Sequence, residues 1–74
     1  MAEIAVESEI AGTVWKLERS PGDNVEEEDS LMILESMKME IPVLDPDAGK
    51  LVAIHVAEGD TVREGQVLAT LELE

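Results

Sequence analysis

"GDNVEE" at residues 22–27 returns as "GDTVRE" at residues 59–64, an offset of 37 positions that holds along the whole chain. Sliding the 74-residue sequence against itself by that offset pairs Glu3, Ile4 and Val6 with Glu40, Ile41 and Val43. It pairs Ala11-Gly12 with Ala48-Gly49, and Leu31, Leu34 and Glu35 with Leu68, Leu71 and Glu72. Without a gap, 12 of 37 pairs are identical, against about 3 expected by chance from residue frequencies. Val14/Leu51 and Leu17/Ile54 add conservative pairs. The chain therefore reads as one domain, 1–74, made of two repeats, 1–37 and 38–74.

Each repeat is patterned for strands. Thr13-Val14-Trp15 and the run Leu51, Val52, Ile54, Val56 are rich in β-branched and aromatic residues. Gly12, Pro21-Gly22, Asp45-Pro46-Asp47, Gly49, Gly59-Asp60 and Gly65 interrupt the chain too often for long helices. The pattern predicts strands near 3–7, 12–18, 24–27 and 30–37, then 39–44, 49–56, 61–64 and 67–73. The two Gly-Asp-x-Val elements are equivalent turns entering equivalent strands. Eight short strands with glycine-rich turns predict an all-β sandwich or flattened barrel.

Composition narrows the function. With 18 acidic and 5 basic residues the net charge is −13, which repels phosphate backbones and anionic lipid, so neither nucleic acid nor membrane is an expected partner. The main effect of so much acid is solubility, with steering towards basic partner surfaces as a second. There is no cysteine, so no disulfide framework or thiolate metal site, and Trp15 is the one aromatic residue, read as core or sheet-face packing. No apolar run is longer than Leu31–Leu34, which cannot span a bilayer. "MAEIAVESEI" at 1–10 has no basic region or long apolar segment, which predicts an intracellular, cytoplasmic protein. His55 stands alone and reads as an ordinary strand residue, and "EEED" at 26–29 lacks the acid-and-glycine spacing of a calcium loop and reads as a solvated turn. No nucleophile–base pair is visible, so a hydrolase or metalloenzyme has no support.

The seam between the repeats falls at Met37–Lys38, inside "ESMKMEI" at 35–41. Symmetric packing equates Lys38 with Met1 and Met37 with Glu74, which places the termini at one pole and Met37–Lys38 at the other. Ser36-Met37-Lys38-Met39 then forms a tight hairpin. Two-residue hairpins favour Asn-Gly, because both central residues take positive φ, and a non-glycine residue there costs on the order of 1 kcal/mol. Met-Lys at such a tip calls for a functional reason.

"ESMKMEIP", the leading strand "LMILE", the paired Gly-Asp-x-Val turns and the two-copy layout together resemble the biotinyl/lipoyl-attachment family over the whole chain. The likeness is greatest to its small stand-alone biotin carriers. It implies two four-stranded antiparallel sheets related by a quasi-two-fold axis, a barrel-sandwich hybrid, and the ungapped repeat leaves no room for a thumb insertion. It implies that Lys38 carries biotin in amide linkage, with Glu35, Ser36, Met37 and Met39 read by a biotin protein ligase. An ordinary lysine is neutral in only about one molecule in 2,500 at pH 7, so an external ligase must activate biotin for attack by the amine. The implied role is a non-catalytic carboxyl carrier, monomeric in isolation. It serves a biotin carboxylase using ATP, Mg²⁺ and bicarbonate, and a carboxyltransferase whose acceptor is most simply an acyl-CoA, such as acetyl-CoA or propionyl-CoA. A lipoyl carrier of a 2-oxo acid dehydrogenase or glycine-cleavage system is an alternative that Met37 and Met39 disfavour. An unmodified β-domain that only binds partners is another. Three departures from the family pattern stand out: Ser36 replaces the usual alanine, "SEIAG" at 8–12 lacks the usual Pro-Met-Pro-Gly type of segment, and Glu28 occupies the place of Gly65. The last predicts that the first Gly-Asp turn region differs from the second.

Overall fold

The computed structural model describes residues 2–73, in which every helix or strand is a strand. They are β1 (Glu3–Glu7), β2 (Gly12–Leu17), β3 (Asn24–Val25), β4 (Ser30–Ser36), β5 (Met39–Leu44), β6 (Gly49–Ile54), β7 (Thr61–Val62) and β8 (Val67–Leu73). All eight coincide with the segments that the sequence pattern marks. Five end earlier: β2 at Leu17, β3 at Val25, β4 at Ser36, β6 at Ile54 and β7 at Val62. β3, β4 and β7 stop at the end residue of a partner strand, whereas β2 and β6 stop with one more cross-strand hydrogen bond beyond each, Glu18 N–H to Leu31 at 3.0 Å and His55 N–H to Leu68 at 2.8 Å. His55 thus lies just beyond β6, where its ring nitrogen Nε2 meets the Thr70 hydroxyl at 2.8 Å.

The strands form two antiparallel sheets ordered β1-β8-β6-β3 and β5-β4-β2-β7. Advancing each strand by one repeat converts the first order into the second. Registers follow: Glu3 faces Glu72 across β1/β8, and Glu40 faces Glu35 across β5/β4. The longest connections, 18–23 and 55–60, hold no insertion that could form a thumb. The equation of Met1 with Lys38 and of Glu74 with Met37 lies outside the described residues. Next to them, the Leu73 N–H donates to the Ala2 carbonyl at 2.8 Å, at positions equivalent to the Ser36–Met39 pair.

The core obeys the same relation. Val25, Leu31, Leu51, Ala69 and Leu71 form one buried cluster with Val6, and their repeat mates Val62, Leu68, Val14, Met32 and Leu34 form another with Val56. Val43 and Ile54 pack against both and join them. Each fully buried leucine contributes about 1.5–3 kcal/mol over an exposed one, so apolar aliphatic burial holds the sandwich together with almost no aromatic help. Trp15 sits where β2 bulges past β4, is 48% exposed, and so belongs to the outer sheet face and not to the core.

The turns show why the Gly-Asp elements repeat. Gly22 and Gly59 adopt φ of 98° and 93°, a region where a side chain is strained. The Asp23 N–H donates to the Ser20 carbonyl at 3.1 Å, while its carboxylate accepts from the Ser20 N–H at 2.9 Å. Asp60 does the same with Ala57, at 3.0 and 2.9 Å. Each turn also clamps a core strand of the other repeat: Gly22 N–H donates to Leu51 and Gly59 N–H to Val14.

The turns at 26–29 and 63–66 correct the expectation raised by Glu28. Asp29 N–H donates to Glu26 at 3.0 Å, as Gln66 N–H does to Arg63. Glu28 N–H donates to the Asp45 carbonyl at 2.8 Å, as Gly65 N–H does to Ser8 at 2.7 Å. The two turns are the same, because Glu28 accepts φ of 72° beside 84° for Gly65. The hydrogen bonds to the neighbouring strand end override the side chain's own preference.

Candidate functional site

β4 and β5 make the longest hairpin ladder of their sheet, running from Ser30↔Leu44 to Ser36↔Met39 with one bulge. That ladder forces a two-residue connection, and Met37 and Lys38 take it at φ of 52° and 65°. Both values are left-handed, the mirror-image turn that matches strand twist and that asparagine and glycine normally fill. Each non-glycine residue held there costs about 1–2 kcal/mol. A selective reason for Met-Lys must therefore lie outside the stability of the turn.

Lys38 is exposed at this tip. Met37 is 92% exposed and Met39 63%, so neither methionine fills the core. Ser36 is half-buried at the end of β4, and Glu35 is exposed opposite Glu40. Like charges directly opposite one another oppose pairing, yet Glu3 and Glu72 repeat the arrangement in the other sheet. The acid pair alone thus does not distinguish the tip; Met37, Lys38 and Met39 do. The structure brings Glu35, Ser36, Met37, Lys38 and Met39 together on one projecting hairpin end.

One supporting residue was legible in the sequence only as punctuation. A Cβ on Gly12 would lie 2.6 Å from the Glu35 carbonyl oxygen and 3.4 Å from the Ser36 Cβ. Its mate Gly49 stands closer still to the Glu72 carbonyl. Bare backbone at Gly12 lets β2 brace β4 immediately beneath the tip. The repeated Ala-Gly at 11–12 and 48–49 is the signal that marks it.

Chemically, the tip can present one primary amine. Among the described residues no group of three or more His, Cys, Asp or Glu side chains is placed to hold a metal. The turn at 26–29 is closed by its own hydrogen bonds, the Asp29 carboxylate accepting from Glu26 N–H at 2.9 Å. Among the described residues no helix is long and apolar enough to cross a membrane.

Comparison with known proteins places the chain as a whole. A family model described as "Biotin-requiring enzyme" matches residues 2–71. The biotin/lipoyl attachment protein of Bacillus subtilis (strain 168) is 41% identical over 68 residues, 92% of this chain and 93% of that protein. The biotin carboxyl carrier protein of Streptococcus mutans is 47% identical over 62 residues, 84% of this chain and 48% of that one. A single-chain, multi-domain long-chain acyl-CoA carboxylase superposes with a TM-score of 0.92 at 30% identity, over 97% of this chain and 7% of that chain.

Proposed function

This chain belongs to the biotin-requiring enzyme family, and from that premise we propose that it is a biotin carboxyl carrier with Lys38 as its attachment residue. The observation that carries the reading is the tip itself: an exposed lysine between two exposed methionines, held in a turn whose backbone favours glycine. The carrier unit is the whole chain, 1–74, its repeats 1–37 and 38–74 furnishing one sandwich and one loaded tip. Biotin covalently attached to a lysine is the family's cofactor, and an uncrowded primary amine at a rigid projection fits it.

The residues divide the work simply. Lys38 Nζ forms an amide with the biotin carboxyl group, with net loss of water, in a reaction catalysed by a separate biotin protein ligase. Met37 and Met39 offer the ligase apolar contacts at no cost to the core, and Glu35 and Ser36 complete the strand end that it reads. When bound, biotin supplies the ureido nitrogen that carries a carboxyl group between a biotin carboxylase and a carboxyltransferase. The sandwich contributes rigidity: Met37 and Lys38 cannot retreat, because the ladder behind them is paired to its last residue. The lysine stem adds reach, and tethering raises the effective concentration of its load at partner sites. The chain itself is non-catalytic, monomeric in isolation and cytoplasmic in this reading, and the acceptor is an acyl-CoA such as acetyl-CoA or propionyl-CoA.

Intact mass after incubation with biotin, ATP and a biotin protein ligase tests the proposal, with Lys38→Arg as control. A gain of one biotin less one water, absent in the control, is the expected result. A lipoyl gain under a lipoyl ligase, with none under the biotin ligase, would move the chain to the other carrier class. No modification by either enzyme would leave an unmodified binding domain.

A further inference from the structure

β1 and β5 each end their sheet, and between them runs a groove of about 400 Å³. The groove lies across the repeat relation, since Ala5, Glu7 and Glu9 on one wall are the mates of Pro42, Leu44 and Pro46 on the other. The two walls have diverged in chemistry. One carries Glu7 and Glu9 beside Ala5, Val6 and Ile10; the other is wholly apolar, with Leu44 exposed. Among the described residues no Lys, Arg or His lines the groove.

The two edges have diverged as well. Pro42 has no N–H to offer, which is how natural sheets block edge-to-edge pairing. Ala5, its mate on β1, keeps its N–H and stands exposed on an edge with no neighbouring strand among the described residues. One edge is thus closed to strand addition and the facing edge is open. An added strand alternates its side chains between two directions, so a segment alternating basic and apolar residues would meet Glu7 and Glu9 with one set and Leu44 with the other.

We propose that this groove is a docking site for an extended basic–apolar segment of a partner polypeptide, added to the free edge of β1. A second copy of this chain is a poor occupant, because its net charge is also −13 and its own edge strands carry Glu3, Glu7 and Glu40. The proposal requires no modification of Lys38.

The probe is a short capped peptide alternating lysine and valine, titrated into the ¹⁵N-labelled chain. Amide shifts confined to residues 3–10 and 41–47 are expected, weakening as salt is raised. The Glu7→Gln/Glu9→Gln variant should bind about fivefold more weakly, the combined effect of two exposed ion pairs. Ala5→Pro, which copies the residue at the equivalent edge position, should weaken binding at least about tenfold by removing the edge donor. If Ala5→Pro does not fold, the exposed glutamates carry the test alone. Lys38→Arg should bind as the parent chain does, which separates this site from the carrier reading. Shifts centred on 26–29, equal binding of a lysine–glycine peptide, or binding unchanged in every groove variant that folds would overturn the proposal. So would peptide-independent, concentration-dependent broadening of the same residues, which would assign the groove to a second copy.

Discussion

Replacing Gly12 with alanine perturbs the molecule at the one point where β2 presses on the strand that carries the tip. The added methyl would sit 2.6 Å from the Glu35 carbonyl oxygen, about 0.8 Å short of ordinary van der Waals contact. Gly12 has no positive φ, so the effect is steric and not conformational. The obstacle is backbone held by ladders on both sides, β4 being paired with β2 and β5. It cannot swing aside as a side chain would. Overpacking of this kind costs about 1–3 kcal/mol, and a well-anchored strand puts the value towards the upper end. For a domain of this size 1 kcal/mol is about 4–8 °C in Tm, so a fall of roughly 10–20 °C is expected by thermal unfolding followed by circular dichroism. Gly22→Ala is the informative comparison, because nothing lies within 4 Å of its added Cβ and the cost there comes from φ alone. That change should cost about 1–2 kcal/mol. Gly12→Ala should also slow biotin attachment, since Glu35 and Ser36 lead directly into the tip. A Tm within a degree or two of the parent would refute the close-contact argument, and with it the role of Gly12 as the brace beneath Lys38.

Two further outcomes follow from the turns. Glu28→Gly relieves a left-handed residue whose mate is already Gly65. Strain release of about 1–2 kcal/mol less the extra backbone entropy of glycine, about 0.5–1, leaves a gain of about 0.5 kcal/mol. Chemical denaturation should detect it as a raised midpoint with an unchanged slope, and a lowered midpoint would show that Glu28 is not strained. Asp45 is 1% exposed, with Oδ2 unpartnered and Oδ1 accepting from Asp47 N–H at 3.3 Å. Burial pushes its carboxyl above the usual 3.8, Asp29, Asp47 and Glu27 add to the rise, and the Asp47 N–H opposes it. A raised folded-state pKa contributes stability at low pH that is lost as pH climbs through that value. Asp45→Ser copies the mate Ser8, whose hydroxyl donates to the Ile10 carbonyl at 2.6 Å. The variant should lose this dependence, so that its stability relative to the parent improves from pH 3 to pH 7. A difference that stays flat over that range would mean that Asp45 titrates normally.

Much of this protein was legible before any coordinates. The 37-residue offset is a property of the chain, and equivalent sequences settle into equivalent local structure, so eight strands, paired turns and a seam at Met37–Lys38 follow from it. The tip was readable because a two-residue hairpin is a local object whose backbone requirement Met-Lys visibly fails to suit. Other features needed the fold. Self-similarity does not say whether a repeat pairs within itself or with its mate, since either choice buries the same alternating residues. The observed sheets mix them, β1 and β3 of one repeat with β6 and β8 of the other, because long-range ladders decide it. The same holds for Glu28, which a local rule read as a break in the pattern and which the Asp45 carbonyl drew into line. It holds for Gly12, whose need for a bare backbone exists only once β4 lies against β2. The groove between β1 and β5 also exists only in three dimensions: the sequence places Ala5 and Pro42 in equivalent positions, and the dyad sets their two edges face to face.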